Sequence, residues 1–110
     1  MLLFLLISIF LFLSTSTVEA VGNTYYVSTI GNDSNAGTLS SPFLTITKGI
    51  NTMTAGDTLY VRGGTYPTFT VSKSGSVNGY LTILGYNNEM PKIQSGIGIR
   101  LNNVRYVKIS

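Results

Sequence analysis

The 110-residue chain contains no cysteine, no histidine and no tryptophan, and only four of its side chains are acidic. Without cysteine there is no disulfide to staple a small exported domain and no thiolate to hold zinc. Without histidine, neither a Ser-His-Asp arrangement nor a histidine-ligated metal can be assembled. A calcium cage draws on about six to eight oxygens, commonly with several carboxylates converging. Here Asp33, Asp57 and Glu89 stand singly, and the fourth acid, Glu19, lies in the leader described next. Long apolar runs are also missing. The run Leu2–Leu13, interrupted only by Ser8, falls short of the ~20 residues that a membrane-spanning helix needs.

That run has the length of a signal-peptide core. Polar residues 14–17 follow it, and then Val18-Glu19-Ala20 places Val18 and Ala20 at the positions a signal peptidase reads. Residues 1–20 are therefore expected to be a signal peptide, even though no Lys or Arg precedes the core. Cleavage leaves residues 21–110 as one small domain or part of one. The expected location is extracellular, as a secreted monomer with no stable membrane association. The seven Lys and Arg residues are spread singly between Lys48 and Lys108, which reads as solvated surface charge. Such a balance favours acidic partners such as polyuronates, and export argues against nucleic acid. Arg62-Gly63-Gly64 is no basis for RNA binding, because its glycines have a turn to make.

What the mature chain does contain is turn-punctuated strand pattern. Residues 24–29 are β-branched and aromatic and end in the turn-forming cluster 31–37. Ser40-Ser41-Pro42 then offers a capping hydroxyl and a proline for a first helical position. Phe43, Ile46, Ile50 and Met53 make one apolar stripe at helical period, which predicts a short helix over about 42–54. Gly49 inside it costs ~1 kcal/mol relative to alanine, so packing must hold that helix.

After Asp57 the period becomes two. Leu59/Val61, Phe69/Val71, Leu81/Ile83, Ile99/Leu101 and Val107/Ile109 each flank one outward residue. Glycine and asparagine clusters separate these strands. An antiparallel sandwich and a parallel β-helix share this pattern. Gly63-Gly64 by itself suggests a hairpin, whereas the similar triplets 59–61, 81–83 and 107–109 recur at the scale of one solenoid coil. A helix ahead of the first coil would cover the open end of such a stack.

The segments Tyr25-Tyr26-Val27-Ser28, 31–38, Ser41-Pro42-Phe43-Leu44-Thr45-Ile46 and Gly56–Tyr66 resemble the opening of secreted right-handed parallel β-helix proteins, among them the family 9 pectate lyases. Residues 98–109 resemble one repeat of the same scaffold, with asparagine in the turn. Together the similarity spans residues 24–110. It implies an all-β fold, the first coils of a right-handed parallel β-helix behind a short N-terminal capping α-helix. It also implies that residues 21–110 are the N-terminal part of a longer polysaccharide-active protein. The full-length activity it implies is a pectate lyase-like β-elimination assisted by calcium, with clustered acids and a lysine beyond Ser110. A non-catalytic extracellular β-helix for glycan binding or adhesion is the competing expectation, since one scaffold hosts many functions.

Residue by residue, nothing in the chain matches the lyase centre. Asp33-Ser34-Asn35-Ala36-Gly37 opens like a calcium loop, but its twelfth position is Leu44, so it is expected to hydrogen-bond its own backbone. Asp57 reads as a turn residue. Gly96–Leu101 begins like a dinucleotide fingerprint but ends in leucine and lacks the strand-turn-helix setting. Asn32-Asp33-Ser34 is a glycosylation sequon, relevant in a eukaryotic secretory pathway. Tyr60, Arg100 and Lys108 point outward and are placed to line a groove for an acidic polysaccharide, although solvent-facing strand residues are ordinary. No catalytic, cofactor-binding or metal residue is assigned within the chain, and calcium is expected only for a full-length lyase.

Overall fold

A computed structural model describes residues 22–96 and 98–110. The signal peptide expected at 1–20 lies outside these residues, as does Ile97 of the glycine fingerprint. The chain forms β1 (Thr24–Val27), α1 (Ile46–Thr52), β2 (Thr58–Val61), β3 (Thr65–Tyr66), β4 (Phe69–Val71), β5 (Leu81–Gly85), β6 (Lys92–Ile93), β7 (Ile99–Leu101) and β8 (Val107–Ile109). These strands build a four-stranded sheet in the order β1-β2-β5-β8 and two two-stranded sheets, β3-β6 and β4-β7. Every strand pair is parallel. Successive passes therefore stack along one axis, and Gly63-Gly64 forms a corner between two sheets instead of a hairpin.

Inside the coils lie the residues that the period of two pointed inward. Leu59, Val61, Phe69, Val71, Leu81 and Ile83 are each at most 6% exposed. The short strand β3 adds Tyr66, which is buried and donates its hydroxyl to the Arg62 carbonyl at 2.8 Å. Burial pushes the Tyr66 phenol up, against the opposing effects of a backbone hydrogen bond and the Arg62 charge. Neither β3 nor β6 was predicted, because two residues are too few to display alternation.

The register differs from the sequence alignment of the triplets. Thr58 pairs with Thr82 and Leu59 with Ile83, an offset of 24, so Leu59 does not pair with Leu81 as a 22-residue repeat would require. The next coil has the expected 26, with Leu81 beside Val107 and Ile83 beside Ile109. A slip of two residues keeps every side chain on the same face, so the inward set is right although the partner is wrong.

The helix is shorter than expected, because the residues before it are claimed by the sheet. Phe43 N–H donates to the Tyr26 carbonyl at 2.9 Å and the Phe43 carbonyl accepts from Ser28 N–H at 2.8 Å. Phe43 thereby bridges to β1 and stacks on Tyr25, with ring centroids 6.0 Å apart. The N-cap is Thr45, whose hydroxyl accepts from Lys48 N–H, not a serine at 40 or 41. At the other end Lys73, from the segment after β4, donates to the Asn51 and Met53 carbonyls at 2.9 and 2.7 Å, supplying the positive charge a helix C-terminus favours. Phe43, Ile46, Ile50 and Met53 are all buried against the first coil, as a lid requires. Gly49 faces Leu59, where a Cβ would come within 2.7 Å of both Leu59 δ-carbons, so the helix sits close at that point. Gly37 takes φ +85° beneath the Phe43 ring, a site that excludes a side chain on both counts.

At the far end the core is open. Ile99, Leu101 and Ile109 are 38, 57 and 38% exposed, and only Val107 of the last strand packs on the core. Val107 and Ile109 were expected inside. Their register is inward, but among the described residues no further coil covers them. A cavity of about 210 Å³ opens there between Val61, Phe69, Ile83, Ile93, Ile99 and Ile109.

The winding predicts opposite outcomes for the same substitution on the two faces of the coil. Val61→Asp buries an unpaired charge and should cost more than about 4 kcal/mol, abolishing the cooperative melt. Thr70→Asp, on the exposed face of β4, should stay within about 0.5 kcal/mol of the parent by thermal or denaturant unfolding.

Candidate functional site

All three carboxylates of the described chain are tied to hydrogen-bond donors. Asp57 is 2% exposed and accepts from Asn23 N–H at 2.7 Å, Thr54 N–H at 2.8 Å and the Thr54 hydroxyl at 3.2 Å. It pins the chain entering β1 to the turn that leads into β2. Asp33 accepts from Leu44 N–H at 2.8 Å, Thr45 N–H at 2.9 Å and the Thr45 hydroxyl at 2.8 Å. Partial desolvation pushes the Asp33 carboxyl up, but the Thr45 and Leu44 hydrogen bonds, helped by Lys48, outweigh it and hold the group below its ordinary value. The neighbouring Asn32 oxygen accepts from Ser34 N–H, and the Asn35 amide donates to the Pro42 carbonyl. The segment that opens like a calcium loop is thus a backbone clamp that sets where α1 begins.

Glu89 belongs to a third network. Its carboxylate receives Arg62 Nε at 3.1 and 3.2 Å, Arg62 Nη2 at 3.1 Å and Gly63 N–H at 2.6 Å. The Arg62 hydrogen bond, followed by that of Gly63, lowers the Glu89 carboxyl, and the same bond raises the Arg62 guanidinium. Sequence reasoning had no signal for this pair: the residues are 27 positions apart and meet only because the turn after β5 folds back over the turn after β2.

These acids do not fit a calcium centre. Each carboxylate serves a different network, and among the described residues no group of three acids could hold a metal ion. On the outward side of the four-stranded sheet, register aligns Thr24, Thr58, Thr82 and Lys108 in one column and Tyr26, Tyr60 and Leu84 in the next. Tyr26 and Tyr60 stack at 5.5 Å with planes 20° apart, and Tyr86 meets both edge-on at 5.6 Å. The Arg62 guanidinium lies 5.0 Å over the Tyr86 ring. Of the three outward residues noted in the sequence, Tyr60 and Lys108 share this face. Arg100 lies on the separate β4-β7 sheet, beside Thr70.

Stacked parallel coils, an apolar lumen and a helical lid define a parallel β-helix. A family described as "Pel9A-like, right handed beta helix region" matches residues 25–109, and the chain belongs to it. A pectate lyase of Emericella nidulans, PEL9, is 40% identical over 67 residues, which are 58% of this chain and 16% of that protein. The protein YwoF of Bacillus subtilis is 39% identical over 72 residues, 64% of this chain and 15% of that one. Among solved structures, a rhamnogalacturonan lyase superposes with a TM-score of 0.67 at 25% identity, over 81% of this chain and 27% of its own. The chain thus spans about a sixth of the relatives it matches in sequence.

The Asp33 clamp makes stability pH-dependent with a defined sign. A carboxyl lowered on folding adds stability that is complete above its unfolded pKa, near 3.8, and is lost as pH falls through the lower folded value. Asp33→Ala should cost about 1–2 kcal/mol at neutral pH, kept modest by solvent screening of a partly exposed loop. The gap from the parent should narrow on acidification below pH ~4 in parallel melting curves.

Proposed function

We propose that residues 21–110 are the N-terminal cap and first coils of an exported polysaccharide lyase-like protein acting on an acidic polysaccharide of the pectate class. The observation that carries the reading is the family match across residues 25–109, supported by the similarity to a protein named as a pectate lyase. Residues 1–20 serve as its signal peptide in this reading. The reaction class is β-elimination, with the acids and base supplied by parts of the protein outside this chain. The three engaged carboxylates support that division, since every one of their oxygens already accepts a hydrogen bond and the three serve separate networks. A non-catalytic glycan-binding protein on the same scaffold is the reading to be discriminated.

Three measurements address the proposal. With polygalacturonate and added calcium, the 110-residue chain should give no rise in the ultraviolet absorbance of unsaturated uronate. A longer gene product containing it should give a steady one. A longer product that binds polygalacturonate without generating unsaturated ends would favour the adhesive alternative. The N-terminus of the exported protein, read by mass spectrometry, should be Val21.

A further inference from the structure

Of the asparagines in the chain, only Asn32 stands two residues before a serine or threonine with no proline between, in Asn32-Asp33-Ser34. That triplet is the acceptor pattern for an N-linked oligosaccharide. So short a pattern arises often by chance, and the fold decides whether it can be used. The sugar is added as a chain enters the secretory compartment, before it folds. A bulky, hydrated group on a packed side chain would then block folding, whereas an exposed and unengaged amide carries it without loss.

The structure places the triplet on the outside of the connection 28–45, between β1 and α1. Asn32 and Ser34 are exposed, with Asp33 half-buried between them. The backbone there is held by its own bonds: Asn32 N–H donates to the Pro42 carbonyl at 3.1 Å, and the Asn32 carbonyl accepts from Asn35 N–H at 2.9 Å. The Asn32 side-chain oxygen accepts from Ser34 N–H at 2.8 Å, the turn that asparagine makes with the residue two positions on. Its amide nitrogen, the atom that would carry the sugar, donates to no described residue. Asn35 is the contrast. Its amide nitrogen is committed to the Pro42 carbonyl at 2.9 Å, so a substituent there would break a bond that shapes the loop. The Asp33 carboxylate is drawn in to Leu44 and Thr45, which leaves the outer side of the triplet clear. The connection also flanks β1, at the opposite edge of the four-stranded sheet from β8, so a group on Asn32 does not lie between coils.

We propose that Asn32 is the acceptor for an N-linked oligosaccharide when the chain is exported through a eukaryotic secretory pathway, and that the linkage stands free on the surface of the finished fold. In the transfer the Asn32 amide nitrogen loses a proton and bonds to the anomeric carbon of the first sugar. The bond from that carbon to a lipid pyrophosphate breaks, and the lipid pyrophosphate leaves. No residue of this chain acts as a catalyst in the step. The proposal rests on the export reading of residues 1–20 and is independent of the lyase reading.

The test expresses the 110-residue chain in a eukaryotic secretory host, once with its own leader and once with residues 1–20 replaced by a leader that the host cleaves. Treating the secreted protein with peptide N-glycosidase should remove the mass of one oligosaccharide, and mass spectrometry of the peptides should place the conversion at position 32. Asn32→Gln and Ser34→Ala should each lose that mass shift completely, and Ser34→Thr should keep it. Because the linkage is exposed, the sugar should be released from the folded protein as completely as from the denatured one, and the stripped and glycosylated forms should melt at the same temperature. Secreted protein with no sugar at position 32, a shift that survives Asn32→Gln, release only after denaturation, or a glycosylated form that melts well below the stripped one would each overturn the proposal. Failure of the export reading has a different signature: the chain with its own leader stays in the cell unmodified, while the chain with the host leader is secreted carrying the sugar, which supports the acceptor site.

Discussion

A strand in a parallel solenoid can bury its apolar side chains only if the strands above and below present inward residues at the same angle. Register between coils is therefore the constraint on which the rest of this structure depends. In the first sheet the offset is 24 between β2 and β5, but it grows to 27 between β3 and β6 and to 30 between β4 and β7, then returns to 26 between β5 and β8. The strands hold their alignment, and the corners absorb the difference. Residues 86–91 are a longer corner than 62–64, 94–98 are longer than 67–68, and 102–106 are shorter than 72–80. Corners lie outside the core, so length variation there costs little.

The side-chain networks are built on the parts that the register leaves free. The lengthened corner 86–91 turns through Asn87 and Asn88, both with positive φ, and so carries Glu89 back to Arg62 and Gly63 of the preceding coil. That bond fixes Arg62 over Tyr86 and completes the tyrosine cluster. The other two carboxylates are spent on the N-terminal end, Asp33 in setting the start of the lid helix and Asp57 in anchoring the entry to β1. A solenoid end left uncovered exposes core and unpaired strand edges, so this use of scarce acids is structural.

How legible each feature was follows from the range of the interaction behind it. Alternation along a single strand is local, and Leu59, Val61, Phe69, Val71, Leu81 and Ile83 were readable as inward from their neighbours alone. The lid stripe was readable for the same reason, although Phe43 serves it from an extended segment and not from the helix. Pairing is non-local. The triplet at 59–61 resembles the one at 81–83, an offset of 22, yet the coil pairs it with 83–85 at an offset of 24, and only packing of the whole coil makes that choice. The Arg62–Glu89 pair and the Lys73 cap depend on corners whose path no local pattern encodes. Tyr60 and Lys108 were visible as outward residues, but their meeting on one face, with Arg100 on another, required the coil to close.

The central claim, parallel coils in a 24-residue register, is most directly tested by scalar couplings across backbone hydrogen bonds in the isotope-labelled chain. The winding predicts couplings from Thr82 N–H to the Asp57 carbonyl and from Tyr86 N–H to the Val61 carbonyl, the bonds of 3.1 and 3.0 Å that join β5 to β2. A coupling from Thr82 to the Leu59 carbonyl would reveal the two-residue slip of a 22-residue coil, and couplings between β2 and β4 in antiparallel order would contradict the solenoid itself.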